Sequence, residues 1–264
     1  MEKLITVVIQ EGSLSNIFRD TLVLGMEHIK DGNDYLLFLL VLLLPLPLLR
    51  SGAEWGAYGG IKFSLLRMLK VVAAFSIGHS VTLLIGAAGM LHFSERFVDI
   101  LIAVSIIISA FHAIRPVFTA RELYIAAGFG LIHGMAFTAT LAGFNPGGGN
   151  IALSVFGFSL GIELMQFFVI ALTVPWLIIL SSRNRYTNLR VNAAIAAIVA
   201  SFGWIVQMIT GEPNMAMEIV QGLAAYSWVL ILLLALAAVW SAANRNALPV
   251  QDVCQFDGIK VDQE

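Results

Sequence analysis

Long apolar segments dominate this chain, and they limit it to a membrane-spanning fold. Seven of them occupy residues 35–49, 69–91, 97–114, 123–142, 151–180, 191–209 and 219–240. Hydrophobic residues make up 59% of the sequence and charged residues only 12%, whereas a soluble domain carries about 25% charged residues. Because the apolar runs are continuous rather than alternating, they are typical of transmembrane helices and not of barrel strands. We therefore expect an all-α, polytopic transmembrane bundle of about seven spans.

The chain divides into three regions by composition. Residues 1–33 form a mixed lead-in, residues 34–242 hold the apolar spans, and residues 243–264 form a polar tail. Within the lead-in, residues 16–29 place apolar side chains on one face at helical spacing. This pattern predicts an amphipathic helix that lies in the membrane interface. The first span is short, at about 22 Å, and its prolines, Pro45 and Pro47, are expected to end or kink it.

Basic side chains alternate between the loops and so predict an orientation. Arginine and lysine occur in the loops at 50–70, 115–122 and 183–190, and the loops between them hold a single basic residue, Arg96. The positive-inside rule places the basic loops in the cytoplasm, with the N-terminus outside and the C-terminus inside. No basic stripe indicates nucleic-acid binding. The one cysteine, Cys254, excludes an internal disulfide and a cysteine-based metal site.

Three polar side chains are predicted near the middle of the membrane, each on a different span. His79, His133 and Glu163 lie about 16–18 Å from the starts of their spans at the helical rise of about 1.5 Å per residue. An imidazole or a carboxylate at this depth is costly unless it is paired, and by default it marks a functional site. We therefore expect these three helices to meet.

Small and polar residues flank the three side chains. Gly130 and Gly134 beside His133, like Gly157 and Gly161 beside Glu163, form GxxxG pairs that let helix backbones approach closely. Other polar side chains within about one helical turn could orient the site residues. These are Ser76, Ser80, Thr82, Thr138 and Gln166.

Imidazole and carboxylate groups together suit Ni²⁺, Co²⁺, Cu²⁺, Zn²⁺ or Fe²⁺. Further candidates extend the set into a polar file, with His28 and Asp34 at the outer end and His112 near the inner end. Successive weak sites suit transport, because an ion must both enter and leave. Two alternatives remain open: a haem- or metal-binding redox protein or enzyme that uses His79 and His133 as ligands, and a non-transporting subunit whose buried polar groups only fix helix packing.

Five segments of the chain, in order, resemble the motifs of one family. The segments are GMEHIKDGNDYLLFLL, FSIGHSVTL, VDILIAVSIIISAFHAI, FGLIHGMAF and FSLGIELMQ. They resemble motifs of the HupE/UreJ family of bacterial membrane proteins, which is associated with nickel or cobalt uptake. The resemblance covers about residues 17–170, and the later spans agree only in being apolar.

The resemblance implies a metal transporter of the bacterial inner membrane rather than an enzyme, with Ni²⁺ or Co²⁺ as its substrate. It is compatible with a homo-oligomer or with partners in metalloenzyme maturation. Two departures bear on the site, since Tyr35 replaces the histidine of the family's Asp-His pair and His112 stands where an asparagine is expected. The ion-handling residues that the resemblance implies are His28, Asp34, His79, His133 and Glu163.

Overall fold

The computed structural model describes residues 14–87, 93–118, 121–143, 151–183, 185–212, 232 and 234–240. Within these ranges the helices with full bounds are α1 (Leu14–Asp31), α2 (Asn33–Leu43), α3 (Ile61–Ala87), α4 (Glu95–Ile114), α5 (Glu122–Gly143), α6 (Ile151–Ser181) and α7 (Tyr186–Thr210). A short antiparallel hairpin, β1 (Leu48–Ser51) and β2 (Glu54–Tyr58), joins α2 to α3. The sequence did not predict this hairpin.

Four of the described helices, α3, α4, α6 and α7, are long and apolar enough to cross a membrane. The helical bundle expected from the sequence is therefore confirmed, whereas seven spans are not seen in the described part of the chain. The predicted span at 219–240 lies largely outside the described residues, although residues 234–240 are helical. The predicted tail at 243–264 lies entirely outside them.

Two prolines follow the end of α2, as the sequence predicted. This helix has 11 residues and ends at Leu43, two residues before Pro45. Proline has no backbone N–H to continue a helical ladder, so Pro45 and Pro47 fall in the turn before β1. The carbonyl of Pro47 then accepts a 2.9 Å hydrogen bond from the amide of Gly59, which closes the base of the hairpin.

Helices α3 and α5 pack backbone to backbone, in the same direction. A Cβ atom built on Gly78 would lie 2.0 Å from the carbonyl oxygen of Ala127, and one built on Gly134 would lie 2.6 Å from that of His79. Only glycine permits such an approach, because any side chain would displace the neighbouring backbone. Gly130 makes the same kind of contact, with the carbonyl of Phe75. The close packing predicted for the Gly130/Gly134 pair is confirmed.

Helices α1 and α6 are held together by the second glycine pair. A Cβ atom on Gly161 would lie 2.1 Å from the carbonyl oxygen of Leu22, and one on Gly25 would lie 2.2 Å from that of Phe158. Gly157 lies against Thr21 in the same way. The predicted apolar face of α1 is thus present, but it packs on α6 instead of lying open to the membrane interface. The sequence could not show this, because the apolar face of an amphipathic helix can be buried against lipid or against protein.

The chain from α1 to α2 follows α6 in one direction. Contacts with α6 begin at Thr21 beside Gly157 and continue at Tyr35 beside Gln166. Just after α2, the carbonyl of Leu44 accepts a 2.6 Å hydrogen bond from the hydroxyl of Tyr186, the first residue of α7. The break between α1 and α2 at Gly32 therefore lies along the middle of α6. The sequence placed this break at the outer end of the first span, so the structure sets it deeper in the bundle.

Candidate functional site

The ring of Tyr35 lies close to both His79 and His133. The Tyr35 ring centroid is 6.5 Å from that of His79, with the rings at 90°, and 6.1 Å from that of His133, with the rings at 76°. All three side chains are almost completely buried. The glycine contacts between α3 and α5 fix this arrangement, because they set the two histidine-bearing helices at one register. The expectation that the two histidines lie at one depth agrees with this geometry.

Aromatic rings pack against the two imidazoles. The ring of Phe38 lies 4.4 Å from that of His133, centroid to centroid. The ring of Phe75 lies 5.4 Å from that of His133 and 6.0 Å from that of His79. In such an apolar surrounding, a polar atom without a partner is costly.

The two imidazoles differ in their hydrogen bonds. Nε2 of His133 lies 3.0 Å from the hydroxyl oxygen of Ser105 on α4. Neither ring nitrogen of His79 has a hydrogen-bond partner within the described part of the chain. A buried polar group without a partner is rare in proteins, and it calls for an explanation such as an ion, a water molecule or a catalytic role.

Glu163 reaches the helix of His79 but is not joined to His79 itself. Its Oε2 accepts a 2.7 Å hydrogen bond from the hydroxyl of Ser76, which lies about one turn before His79 on α3. One turn later on α3 and one turn earlier on α6, the hydroxyl oxygens of Ser80 and Ser159 lie 3.4 Å apart. Among the described side chains, no group of three from His, Cys, Asp and Glu is close enough to hold a metal ion. The expected His79/His133/Glu163 triad is therefore not assembled here.

Gln166 is the polar side chain that does reach the histidine cluster. The hydroxyl of Tyr35 donates a 2.5 Å hydrogen bond to Oε1 of Gln166, and the amide is almost completely buried. Its Nε2 has no hydrogen-bond partner in the described ranges. The sequence singled out Gln166 only as an orienting neighbour, because the depth of Tyr35 could not be known without the packing of α1 on α6.

Only some of the candidate side chains that were predicted at the outer end fall within the described part of the structure. His28 lies near the end of α1, is exposed, and has its ring 5.7 Å from that of Phe158. Asp34 lies in the first turn of α2, next to Tyr35 in sequence, but its side chain falls outside the described part of the structure. The side chain of Thr138 falls outside it as well.

His112 belongs to a separate cluster, at the end of the bundle where α4 stops and α5 starts. Its Nδ1 accepts a 3.1 Å hydrogen bond from the amide of Val117, and its Nε2 lies 3.5 Å from Oε1 of Glu122. The ring stacks on Phe118 with the centroids 4.0 Å apart, and the indole of Trp55 donates to the carbonyl of His112. His112 was predicted as a further metal ligand, but both of its ring nitrogens face protein groups.

Arg67 closes this cluster, and we call the end of the bundle that holds it the Arg67 end. Its guanidinium forms a two-pronged ion pair with Glu122 and donates a 2.7 Å hydrogen bond to the carbonyl of Leu48. It also lies over the ring of Trp55, 5.2 Å from the centroid. Burial raises the pKa of Glu122, but the hydrogen bonds from His112 and Arg67 and the charge of Arg67 together lower it below its usual range.

A comparison with family models agrees with the motifs. A model described as HupE / UreJ protein matches residues 5–208, which include every site residue discussed above. No curated protein and no solved structure matches the chain. Because the match covers well over half of the 264 residues, the chain belongs to the HupE/UreJ family.

Proposed function

We propose that this protein is a transporter of a divalent transition metal, nickel or cobalt, with its binding centre at His79 and His133. The family is associated with uptake of these metals, and it is a family of membrane transporters rather than enzymes. The observation that carries the proposal is the pair of buried imidazoles beside Tyr35, of which His79 has neither nitrogen satisfied within the described residues. A cation with nitrogen preference would satisfy both rings.

The neighbouring groups supply oxygen ligands and charge. Gln166 and Tyr35 offer neutral oxygens next to the imidazoles. The nearby carboxylate is that of Glu163 on α6, which is hydrogen-bonded to Ser76, one turn before His79 on α3. Rotation of the Glu163 side chain away from Ser76 would bring its charge towards the cation. A weak centre of this kind suits transport, since a complete cage of charged ligands would retain the ion.

The direction of the path follows from the two ends of the bundle. The metal enters from the side of the bundle opposite the Arg67 end and passes the break between α1 and α2, where His28 and Asp34 lie. It leaves towards the Arg67 end, which faces the cytoplasm of a bacterium in this proposal. In the structure the Arg67–Glu122 pair and the hairpin cover that end. Release on that side therefore requires these contacts to open.

Metal binding by the purified protein tests the proposal. Isothermal titration with Ni²⁺, Co²⁺, Cu²⁺ and Zn²⁺ is expected to give one site, weakened on the order of 10-fold or more in Glu163→Gln and His79→Ala, as for loss of a supporting or direct ligand. Glu54→Gln is the matched control, because Glu54 is exposed on the hairpin and its charge is remote from the site. An unchanged titration in both site variants would contradict the proposal.

The alternatives are separated by two further measurements. The packing of Tyr35 and Phe38 against the imidazoles argues against a haem between His79 and His133, and a Soret band in the purified protein would reverse that conclusion. The absence of a three-residue metal group among the described side chains favours the non-transporting subunit. Metal uptake that survives the double change His79→Ala/His133→Ala would support that alternative.

A further inference from the structure

The buried histidines differ in which ring nitrogen carries the proton, and Ser105 decides this for His133. A serine hydroxyl has one hydrogen to donate. The hydroxyl of Ser105 lies 2.7 Å from the carbonyl oxygen of Ile102, three residues before it on α4, and 3.0 Å from Nε2 of His133. A carbonyl oxygen only accepts, so the hydrogen of Ser105 is used there. The contact with His133 is then made by Nε2–H donating to Ser105.

The opposite tautomer of His133, with the proton on Nδ1, is less favourable. If Ser105 donated to Nε2, the proton of the neutral imidazole would be on Nδ1, and Ser105 would have no hydrogen left for the carbonyl of Ile102. Phe38 and Phe75 pack against this ring, and aromatic rings are poor acceptors for an N–H on Nδ1. Buried donors without acceptors are rarer than buried acceptors without donors. The neutral imidazole of His133 therefore carries its proton on Nε2 and has a lone pair on Nδ1.

We propose that Ser105 is a positioning residue of the metal site, which holds His133 with its Nδ1 lone pair ready to bind the cation. The inference rests on the proposed transport function. Histidines that bind metals generally donate their other ring N–H to a protein acceptor, which fixes the tautomer and orients the ring. Ser105 is that acceptor, and it lies on α4, a helix that bears none of His79, His133 and Glu163.

The other two buried histidines make the assignment specific to His133. Nδ1 of His112 accepts a backbone amide, and its Nε2, which makes no hydrogen bond within the described residues, lies 3.5 Å from Oε1 of Glu122 in the separate cluster at the Arg67 end. His79 has no hydrogen-bond partner on either nitrogen within the described residues, so its tautomer is not fixed. His133 is therefore the preorganised ligand, and His79 adapts to the ion after it arrives.

The sequence supplies a matched control one turn along α4. Ser109 is as fully buried as Ser105, but its hydroxyl has no hydrogen-bond partner in the described part of the chain. Ser105→Ala and Ser109→Ala therefore remove the same atom from similar surroundings. Ser105→Thr keeps a hydroxyl that can bond the preceding turn, and is expected to restore the wild-type behaviour.

Nitrogen NMR of the metal-free protein with ¹⁵N-labelled histidine gives a readout that does not depend on transport. The chain has five histidines, and the His133→Gln variant assigns the His133 signals. We expect the Nε2–H tautomer in the wild type, in Ser109→Ala and in Ser105→Thr, and a mixture of tautomers in Ser105→Ala. A wild-type spectrum with the proton on Nδ1 would overturn the inference.

Nickel titration of the same variants tests the consequence for binding. Ser105→Ala is expected to weaken binding about 10- to 100-fold, the usual range for losing a partner of a metal-ligating histidine, while Ser109→Ala stays within about twofold. Equal affinity in Ser105→Ala and wild type would overturn the inference but leave the proposed function intact. If the wild type binds no metal at all, the proposed function fails, and the NMR result alone decides the role of Ser105. Should Ser105→Ala not fold, Ser105→Cys, whose sulfur is a weak acceptor, is expected to give intermediate values.

Discussion

The hydroxyl of Tyr35 donates a 2.5 Å hydrogen bond to Oε1 of Gln166, and this bond joins the short helix α2 to the middle of α6. Both side chains are almost completely buried, and the Tyr35 ring lies close to the rings of both His79 and His133. One residue therefore contacts three of the helices that build the site. A change at Tyr35 affects the position of α2 and the surroundings of both imidazoles at once.

We expect Tyr35→Phe to destabilise the protein. The phenyl ring keeps the contacts with His79 and His133, but Gln166 then has no hydrogen-bond partner among the described residues for either end of its amide. Leaving a buried polar group unpaired costs about 1–3 kcal/mol. Thermal unfolding in detergent measures the loss, and Tyr124→Phe is the control because Tyr124 is 81% exposed. Equal melting temperatures for the two variants would show that the bond to Gln166 contributes nothing.

Tyr35→His is expected to strengthen nickel binding. The substitution places a third imidazole where the phenol now lies, beside His79 and His133, and nitrogen ligands favour Ni²⁺. A gain on the order of tenfold corresponds to about 1.4 kcal/mol. Titration of this variant beside Tyr35→Phe separates the added ligand from the lost hydroxyl, because only the histidine variant should gain affinity. Weaker binding in both would mean that the phenol oxygen is itself a ligand.

The sequence could predict the parts of the site that depend on position along a helix. His79 and His133 were expected at one depth, and the glycine contacts of α3 and α5 put them beside the same tyrosine. The close approach at Gly130 and Gly161 followed from spacing alone. These features repeat with the helical period, so a linear pattern carries them.

The sequence could not predict the contacts that depend on tertiary packing. The depth of Tyr35 is set by the packing of α1 on α6, and an amphipathic pattern does not say which surface the apolar face meets. Nδ1 of His112 accepts a hydrogen bond from the turn after α4, and its Nε2 lies 3.5 Å from Glu122, which no spacing rule indicates. The sequence does place Ser105, Ser109 and His112 on one face of an apolar helix. Serine is too common in membrane helices, however, for this pattern to predict a role for Ser105.

Gly130→Ala is expected to separate α3 from α5. The added Cβ atom would lie 2.0 Å from the carbonyl oxygen of Phe75, a backbone atom that cannot rotate away. Overpacking of this kind costs about 1–3 kcal/mol, and it should also weaken nickel binding because the two histidines move apart. Gly128→Ala on the same helix is the control, since its Cβ would meet nothing within 4 Å. A melting temperature for Gly130→Ala no lower than that of Gly128→Ala would contradict the close packing.

The ion pair at the Arg67 end gives a prediction for single and double substitutions. The side chains of Arg67 and Glu122 are only 17% and 12% exposed, so removing either one leaves a charge that is poorly solvated. We expect Arg67→Met and Glu122→Gln each to destabilise by about 3–5 kcal/mol, the range for a broken buried pair. Because the two effects share one cause, the double variant should lose less than the sum of the single variants. Additive losses in thermal or denaturant unfolding would show that the residues act independently.

The Arg67–Glu122 pair also makes the stability of the folded protein depend on pH. The pKa of Glu122 is lowered in the folded protein because its hydrogen bonds to His112 and Arg67, with the charge of Arg67, outweigh the effect of burial, which raises it. A carboxyl group with a lowered pKa binds protons more readily when the chain is unfolded, so its stabilising effect is complete above its unfolded pKa and is lost as the pH falls through its folded pKa. We therefore expect wild-type stability to fall on acidification through that window, and the fall to be smaller in Glu122→Gln, which has no proton to take up at this position. Glu54→Gln, on the exposed hairpin, should keep the wild-type profile, and an unchanged profile in Glu122→Gln would rule out this pair as the acid-sensitive contact.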